Sequence, residues 1–424
     1  MSGYSTGDGW PGVYGTQGVP SPTNVPGVRN LAVSWTDSKG NFWLFGGGGQ
    51  SGTQGIEWSG ILNDLWKFNP STTEWTWVSG SQTSNANGVY GKQGVPALTN
   101  VPGARAGAVS WIDSSDNLWL FGGGITQGGG IGWGSVFESP SGAGSGAFND
   151  LWKFDPDTTE WTWVSGSQTG GSTVYGTQGV PASTNNPGNR SGAVSWTDTS
   201  GNLWLFGGEV GAGLLNDLWK FNPSTSEWTW VSGSQTPPVA SSNVPGGRAL
   251  AVGWTDTSGN FWLFGGWGYT AISGGTGVVQ VLSDLWEFNP TTKEWTSMPG
   301  GPAGRELATG WTDKSGNLWL FGGDDGISSE TVAGSVQTLV YGLFNDLWKF
   351  NPSTNEWTWV SGSQTVDAVG VYGAEGVPAP ANMPGSRNGT VSWSDSSGNL
   401  WLFGGYVYVG NYAAFFNDLW LYQP

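Results

Sequence analysis

Residues 29–47 read Arg-Asn-Leu-Ala-Val-Ser-Trp-Thr-Asp-Ser-Lys-Gly-Asn-Phe-Trp-Leu-Phe-Gly-Gly. Two short apolar runs flank a polar turn, in which Asp37 can accept backbone hydrogen bonds and Gly40 supplies a positive φ. After an interval of variable length come Asn63-Asp64-Leu65-Trp66-Lys67-Phe68, the turn Asn69-Pro70-Ser71-Thr72, and Glu74-Trp75-Thr76-Trp77-Val78. Pro70 presets φ at the second position of that turn. The unit is therefore four short strands joined by tight turns, and nothing in it requires a helix.

The unit recurs. Every arginine of the 424-residue chain occupies the same context, at Arg29, Arg105, Arg190, Arg248, Arg305 and Arg387, with spacings of 76, 85, 58, 57 and 82 residues. Six Gly-Gly pairs and six Asp-Leu-Trp triplets accompany them. One such unit is too small to bury both faces of its sheet, so the units must pack on one another around an axis. The expected fold is all-β, a single-domain, six-bladed β-propeller of four-stranded antiparallel blades. The blades fall near 27–78, 103–164, 188–231, 246–298, 303–360 and 385–424.

Small residues recur in the first strand of each unit: Ala32, Ala108, Ala193, Ala251, Ala308 and Thr390, then Ser34, Ser110, Ser195, Gly253, Gly310 and Ser392. They mark it as the innermost strand and are expected to line a central channel. The fourth strand occurs only five times, starting at Glu74, Glu160, Glu227, Glu294 and Glu356. The last blade is thus expected to lack its outer strand or to complete it poorly, with residues 2–10 as a candidate closure. An open edge of that kind invites self-association.

The Gly-Gly after the second strand, the Asn-Asp-Leu-Trp third strand and the Glu-Trp fourth strand resemble the kelch-repeat family of β-propellers. Val-Tyr-Gly-Thr-Gln-Gly-Val (13–19) and Trp-Val-Ser-Gly-Ser-Gln-Thr (77–83) are similar to a Trp-rich bacterial variety. The resemblance implies the propeller fold over essentially the whole chain. It also implies kinship in fold with the central domain of galactose oxidase, whose copper chemistry needs His ligands and a Tyr crosslinked to Cys. This chain has no His and no Cys, so that activity does not transfer.

The same two absences exclude disulfides, thiolate zinc sites, cysteine nucleophiles and a Ser-His-Asp triad. A net charge of −17 argues against nucleic acid and anionic membranes as partners. No apolar run reaches the ~18–20 residues of a membrane-spanning helix, so no membrane insertion is expected. The opening residues do not read as a signal peptide. No metal and no cofactor are expected.

Of 31 Trp, 27 fall at positions repeated between blades and read as packing. Trp10, Trp58, Trp133 and Trp267 are left over. One Arg and one Asp per blade suggest buried bidentate pairs, joining Arg29, Arg105, Arg190, Arg248, Arg305 and Arg387 to Asp64, Asp150, Asp217, Asp284, Asp346 and Asp418. The Asp-turns, similar to the Asp-box of sialidase-like propellers but one residue longer, read as hairpin devices.

Specificity in such a scaffold belongs to its variable loops. Those between second and third strands span 48–62, 124–148, 209–215, 267–282, 324–344 and 406–416. They carry Trp58, Trp133, Trp267, Tyr269, Tyr406 and Tyr408 together with Asp324 and Asp325, and these are the candidate ligand-binding residues. Glu209 and Glu306 lie near the same face, Glu306 being the one charged residue that directly follows a blade Arg. Aromatic rings beside carboxylates suit a carbohydrate or a protein ligand. The expected function is a non-enzymatic binding or scaffold propeller, at a cell surface or outside the cell. The alternatives are a glycoside-active enzyme using two loop carboxylates, or an excised or engineered propeller scaffold without a ligand of its own.

Overall fold

In the computed structural model, residues 11–52, 60–125, 146–211, 213–235, 243–270, 278–330, 338–409 and 412–424 are described. The side chains of 327–330, 338–341, 408–409 and 412–413 are excepted. The described residues form strands, turns and loops only. The first sheet shows the pattern: Val33–Thr36, Phe42–Gly49, Gly60–Asn69 and Glu74–Ser79, antiparallel and in sequence order. The same order recurs in sheets starting at Val109, Val194, Val252 and Thr309. A sixth sheet has three strands among the described residues, Val391–Ser394, Leu400–Phe403 and Leu419–Tyr422.

The innermost strands neighbour one another in cyclic order, the sixth lying beside the first. A ring of backbone hydrogen bonds closes the circle. The amide of Leu31 donates to the carbonyl of Gly389, Gly107 to Leu31, Gly192 to Gly107, Leu250 to Gly192, Leu307 to Leu250 and Gly389 to Leu307, all at 2.8–3.0 Å. All six residues have φ between 53° and 63°. Glycine takes that conformation freely, whereas Leu31, Leu250 and Leu307 are held there at a cost of about 1–2 kcal/mol each. The packed interior therefore imposes this geometry on the chain.

Each sheet is locked by its arginine. In the first, Arg29 is 1% exposed and grips Asp64 with both amino groups, at 2.9 and 2.8 Å. It also donates to the Gly46 carbonyl at 3.0 Å. Trp66 Nε1 and the Tyr14 hydroxyl both donate to Asp64 Oδ2, at 2.7 and 2.6 Å. Burial alone would raise the Asp64 pKa, but the guanidinium and these donors hold it below the usual carboxylate range. Bidentate pairs occupy the other five sheets in the same register: Arg105–Asp150, Arg190–Asp217, Arg248–Asp284, Arg305–Asp346 and Arg387–Asp418. Tyr90, Tyr175 and Tyr372 repeat the role of Tyr14.

The arginine carbonyl faces the other way and joins neighbouring sheets. It accepts from the second glycine of the preceding Gly-Gly: Gly47 donates to Arg105, Gly123 to Arg190, Gly266 to Arg305, Gly323 to Arg387 and, closing the circle, Gly405 to Arg29, at 2.9–3.0 Å. A Cβ on Gly46 would sit 2.7 Å from the Arg105 carbonyl oxygen. With φ of 66° and 95° at Gly46 and Gly47, only glycine fits both positions.

Large rings fill the space between sheets, as in the cluster of Val33, Trp35, Trp43, Phe45, Trp152, Phe154 and Trp161 from the first and second sheets. The Asp-turns are hairpin fasteners: Asp37 accepts from the amides of Lys39 and Asn41 and from Trp43 Nε1. In the second sheet Asp116, at φ 60°, stands where the other turns have glycine.

One expectation gains detail and another needs correction. Ser34, Ser110, Ser195 and Ser392 lie half-buried on the innermost strands. Their hydroxyls turn into the seams, donating to the carbonyls of Ser392, Ser34, Ser110 and Gly310 respectively, at 3.1–3.2 Å. A Cβ on Gly310 would run into Val252 and Trp254, which explains the missing side chain there. Among the described residues, the loops expected after the second strand include hairpin extensions, such as Asp324–Glu330 paired with Thr338–Leu343 and Tyr406–Val409 paired with Tyr412–Phe415.

Replacing Arg105 by Met leaves Asp150 charged, buried and unpaired, and is expected to lower stability by about 3–5 kcal/mol in urea unfolding. Tyr90→Phe removes one donor and is expected to lower it by about 1 kcal/mol. Lys39→Met, which breaks the exposed Lys39–Asp157 pair, leaves the midpoint unchanged.

Candidate functional site

Just outside the ring of amides, the residue after each arginine pairs with the residue after the Gly-Gly of its own sheet. The pairs are Asn30 with Gly48, Ala106 with Gly124, Ser191 with Glu209, Ala249 with Trp267, Glu306 with Asp324, and Asn388 with Tyr406. These six rungs form the mouth of the propeller. Elsewhere the sheets repeat one residue set; here they diverge. The first two sheets present Gly48, Ala106 and Gly124, with Asn30 their one polar side chain. The third to sixth sheets carry carboxylates, amides and rings.

The densest chemistry lies on the fifth sheet. Glu306 and Asp324 exchange backbone hydrogen bonds at 3.0 Å and hydrogen-bond through their carboxyl groups. Glu306 is 6% exposed and Asp324 fully buried. Asn388 Nδ2 reaches across from the sixth sheet to Asp324 Oδ2 at 2.6 Å, and the Gly326 amide donates to Oδ1 at 3.1 Å. Burial pushes Asp324 up to about 6. It raises Glu306 well above its ordinary value, aided by the neighbouring Asp324 and by Glu209. Burial also lifts Glu209 to about 7. Two carboxyl groups in contact hold a proton between them near neutrality, since both cannot ionise cheaply. Ser191 Oγ and Asn388 Oδ1, both buried, find no hydrogen-bond partner among the described residues.

The candidate residues are distributed unevenly over this geometry. Trp267 and Tyr269 lie half-buried on a short strand, Trp267–Tyr269, that pairs with Arg248–Ala249. The ring of Trp267 faces the fifth-sheet hairpin at Gly326. Asp325 is exposed and accepts from the Gly342 amide at 2.8 Å. Asp324 and Tyr406 are not surface contacts: both are fully buried, because they occupy the rungs and not the hairpin tips. Tyr408 pairs with Ala413 through its backbone. Trp58 and Trp133 lie outside the described residues. Sequence reasoning missed Asn388, Ser191 and Asn30; the signal was available as the residue directly after each Arg. Among the described residues no group of three acidic side chains is arranged to hold a metal ion.

A family model described as the KLHDC2/KLHL20/DRC7 Kelch-repeats domain matches residues 175–370. That stretch is just under half of the chain; the match supports a kelch-repeat propeller family, and the same repeat continues on both sides of it. Among curated proteins, a xyloglucanase from Paenibacillus sp. is 24% identical over 243 residues. That alignment covers 52% of this chain and 22% of the relative, so the chain corresponds to a minor part of that protein's length.

The raised acids give the mouth a definite pH signature. A carboxylate whose folded pKa exceeds its unfolded value binds protons more tightly in the native state, so its contribution to stability falls as pH rises. For Glu209 and Asp324 the loss runs from roughly pH 4, near their unfolded values, to about 7 and about 6. Glu209→Gln is therefore expected to match the wild type in thermal unfolding at pH 4 and to exceed it at pH 8. An equal offset at both pH values would contradict the assignment.

Proposed function

We propose that this propeller is a non-enzymatic binding module that engages carbohydrate through the acidic and aromatic side of its mouth. The observation that carries the reading is the break in symmetry at the six rungs. The buried frame repeats from sheet to sheet, and the rungs of the third to sixth sheets add Glu209, Trp267, Glu306 and Asn388. A half-buried indole offers a flat face for a sugar ring, and the partly exposed Glu209 and the exposed Asp325 can accept from its hydroxyls. The xyloglucanase relative points to the same ligand class.

The contact between Glu306 and Asp324 weighs against hydrolysis by that pair. A glycosidase pair must leave ~5–5.5 Å or more between its carboxyl groups for the scissile bond or a water molecule. A pair that shares a hydrogen bond leaves no such gap. Its role in this reading is to shape and polarise the floor of the mouth beneath the exposed Asp325 and the ring of Trp267. An extracellular or cell-surface location fits such a ligand.

The test is an array of glycans and polysaccharides that includes xyloglucan, probed with the wild type and with the triple variant Trp58→Ala/Trp133→Ala/Trp267→Ala. Saturable binding that weakens by at least ~10-fold in the variant is the expected result. No reducing ends should be released on prolonged incubation with the bound polysaccharide. Silence across the array, or binding unaffected by the three substitutions, would overturn the reading.

A further inference from the structure

Each residue that follows an arginine stands one position before a member of the amide ring. Asn30, Ala106, Ser191, Ala249, Glu306 and Asn388 therefore sit side by side around the axis, and all six are buried. Their chemistry is lopsided. Ala249, in the fourth sheet, separates Ser191 from Glu306 and fills its place with a methyl group alone. Across it Glu209, the rung partner of Ser191, comes near enough to Glu306 to raise its pKa. Asp325 beside Asp324, and Asp367 beyond it, add negative charge from farther out.

Acceptors outnumber donors in this cluster. Asn388 gives its side-chain nitrogen to Asp324 Oδ2 at 2.6 Å, which holds its own Oδ1 at the same place. That Oδ1 and Ser191 Oγ have no hydrogen-bond partner among the described residues, although Asn388 and Ser191 are only 1% and 2% exposed. The carboxyl groups of Glu209, Glu306 and Asp324 complete the set. Against them stand the Asn388 nitrogen, the Gly326 amide and the proton held between Glu306 and Asp324. Among the described residues no ion pair reaches these three acids, and all six arginines are committed to aspartates of the frame. Buried acceptors without donors are costly, so the cluster suits an occupant that brings positive charge and several N–H groups. A metal ion fits less well, since no three acids converge on one point among the described residues. An ammonium group needs three acceptors, charged or neutral. Glu209 is partly exposed and Glu306 keeps 6% exposure, so the cluster opens to solvent on their side. The half-buried Trp267 belongs to the same rung as Ala249 and supplies a ring there, which also favours a cation.

We propose that the floor of the mouth, bounded by Ser191, Glu209, Glu306, Asp324 and Asn388, is a binding site for a primary ammonium group, carried by an amino-sugar unit of a glycan or by a small free amine. The glycan source rests on the carbohydrate reading above; the pocket itself does not. The incoming N–H groups donate to Asn388 Oδ1, to Ser191 Oγ and to the carboxyl groups, and the positive charge takes the place of the proton between Glu306 and Asp324. Binding is then coupled to proton release. Because Asp324 titrates at about 6 and Glu209 at about 7, affinity rises as pH is raised through that range, while a primary amine stays protonated.

The test is an NMR titration of the full chain, following the side-chain amide of Asn388, at constant ionic strength. Methylammonium should shift that resonance saturably, with an affinity at least ~10-fold higher at pH 8 than at pH 5. Tetramethylammonium, which has the charge without the N–H groups, should leave it in place. Glu306→Gln and Glu209→Gln should each weaken methylammonium binding at pH 8 by at least ~10-fold, and the partly exposed Glu209 keeps the test valid where the buried substitution disturbs folding. In the glycan arm, a chitosan oligosaccharide should bind more tightly than its fully N-acetylated counterpart. No response to methylammonium, an equal response to tetramethylammonium, or full affinity in the Glu209→Gln variant would overturn the proposal. Binding of both oligosaccharides with equal affinity would also overturn it and leave the carbohydrate reading standing. Binding of methylammonium with silence on every glycan would uphold the pocket, assign it to free amines and overturn the carbohydrate reading.

Discussion

The buried arginine is the part on which the other features of this propeller depend. Its guanidinium closes each sheet on itself by joining the segment before the inner strand to Asp of the third strand and to the Gly-Gly carbonyl. Its own carbonyl ties that sheet to the previous one through the second glycine. A charge taken out of water needs a partner of excellent geometry and full hydrogen bonding, and the bidentate Asp, with the Trp indole and in four sheets a Tyr hydroxyl, provides both. One residue per repeat thus fixes the fold within a sheet and the step between sheets. That dual role accounts for the chain having six arginines and no others.

The ring of six amides follows from this arrangement. Once each arginine is anchored on both sides, the backbone two residues later is delivered to the axis in a left-handed conformation, whether the residue is Gly107 or Leu307. The mouth sits directly above that ring. Its rungs are positioned by the same anchors, so their side chains can vary without disturbing the frame. This explains how two carboxyl groups, Glu306 and Asp324, can be buried in contact at a place where burial is costly: the surrounding structure fixes the backbone, and a retained proton with the amide of Asn388 relieves the repulsion.

The fold was readable because its determinants are local and repeated. Asp37 before Gly40, Pro70 in its turn, and the Gly-Gly after each second strand each declare a turn on their own. The Arg–Asp pairing was legible by stoichiometry, one of each per repeat. The role of Tyr14 in that pairing was not, because 50 residues separate it from Asp64 and no local pattern links them. The small size of Ser34 and its counterparts marked the innermost strand, but their bonds to the neighbouring strand's carbonyls were not legible, because alternation gives only the face of a strand. At the mouth, Glu306 was conspicuous as a charge after an arginine. Asp324 and Tyr406 were read as exposed because Gly-Gly-Asp-Asp-Gly and Gly-Gly-Tyr-Val-Tyr resemble loop sequence. Their burial depends on a rung across the sheet and on neighbours from the next one.

The propeller divides into a repeated frame and a variable mouth. Hydrogen exchange measured with and without saturating xyloglucan oligosaccharide addresses that division directly. In the free protein, the amides of Leu31, Gly107, Gly192, Leu250, Leu307 and Gly389 should be among the slowest to exchange and should do so together. Added ligand should then slow exchange on the rungs and hairpins around Glu209, Trp267, Glu306 and Asn388 and nowhere else. Independent exchange of the ring amides, or ligand protection centred on the Asn-Pro turns at the opposite face, would contradict it.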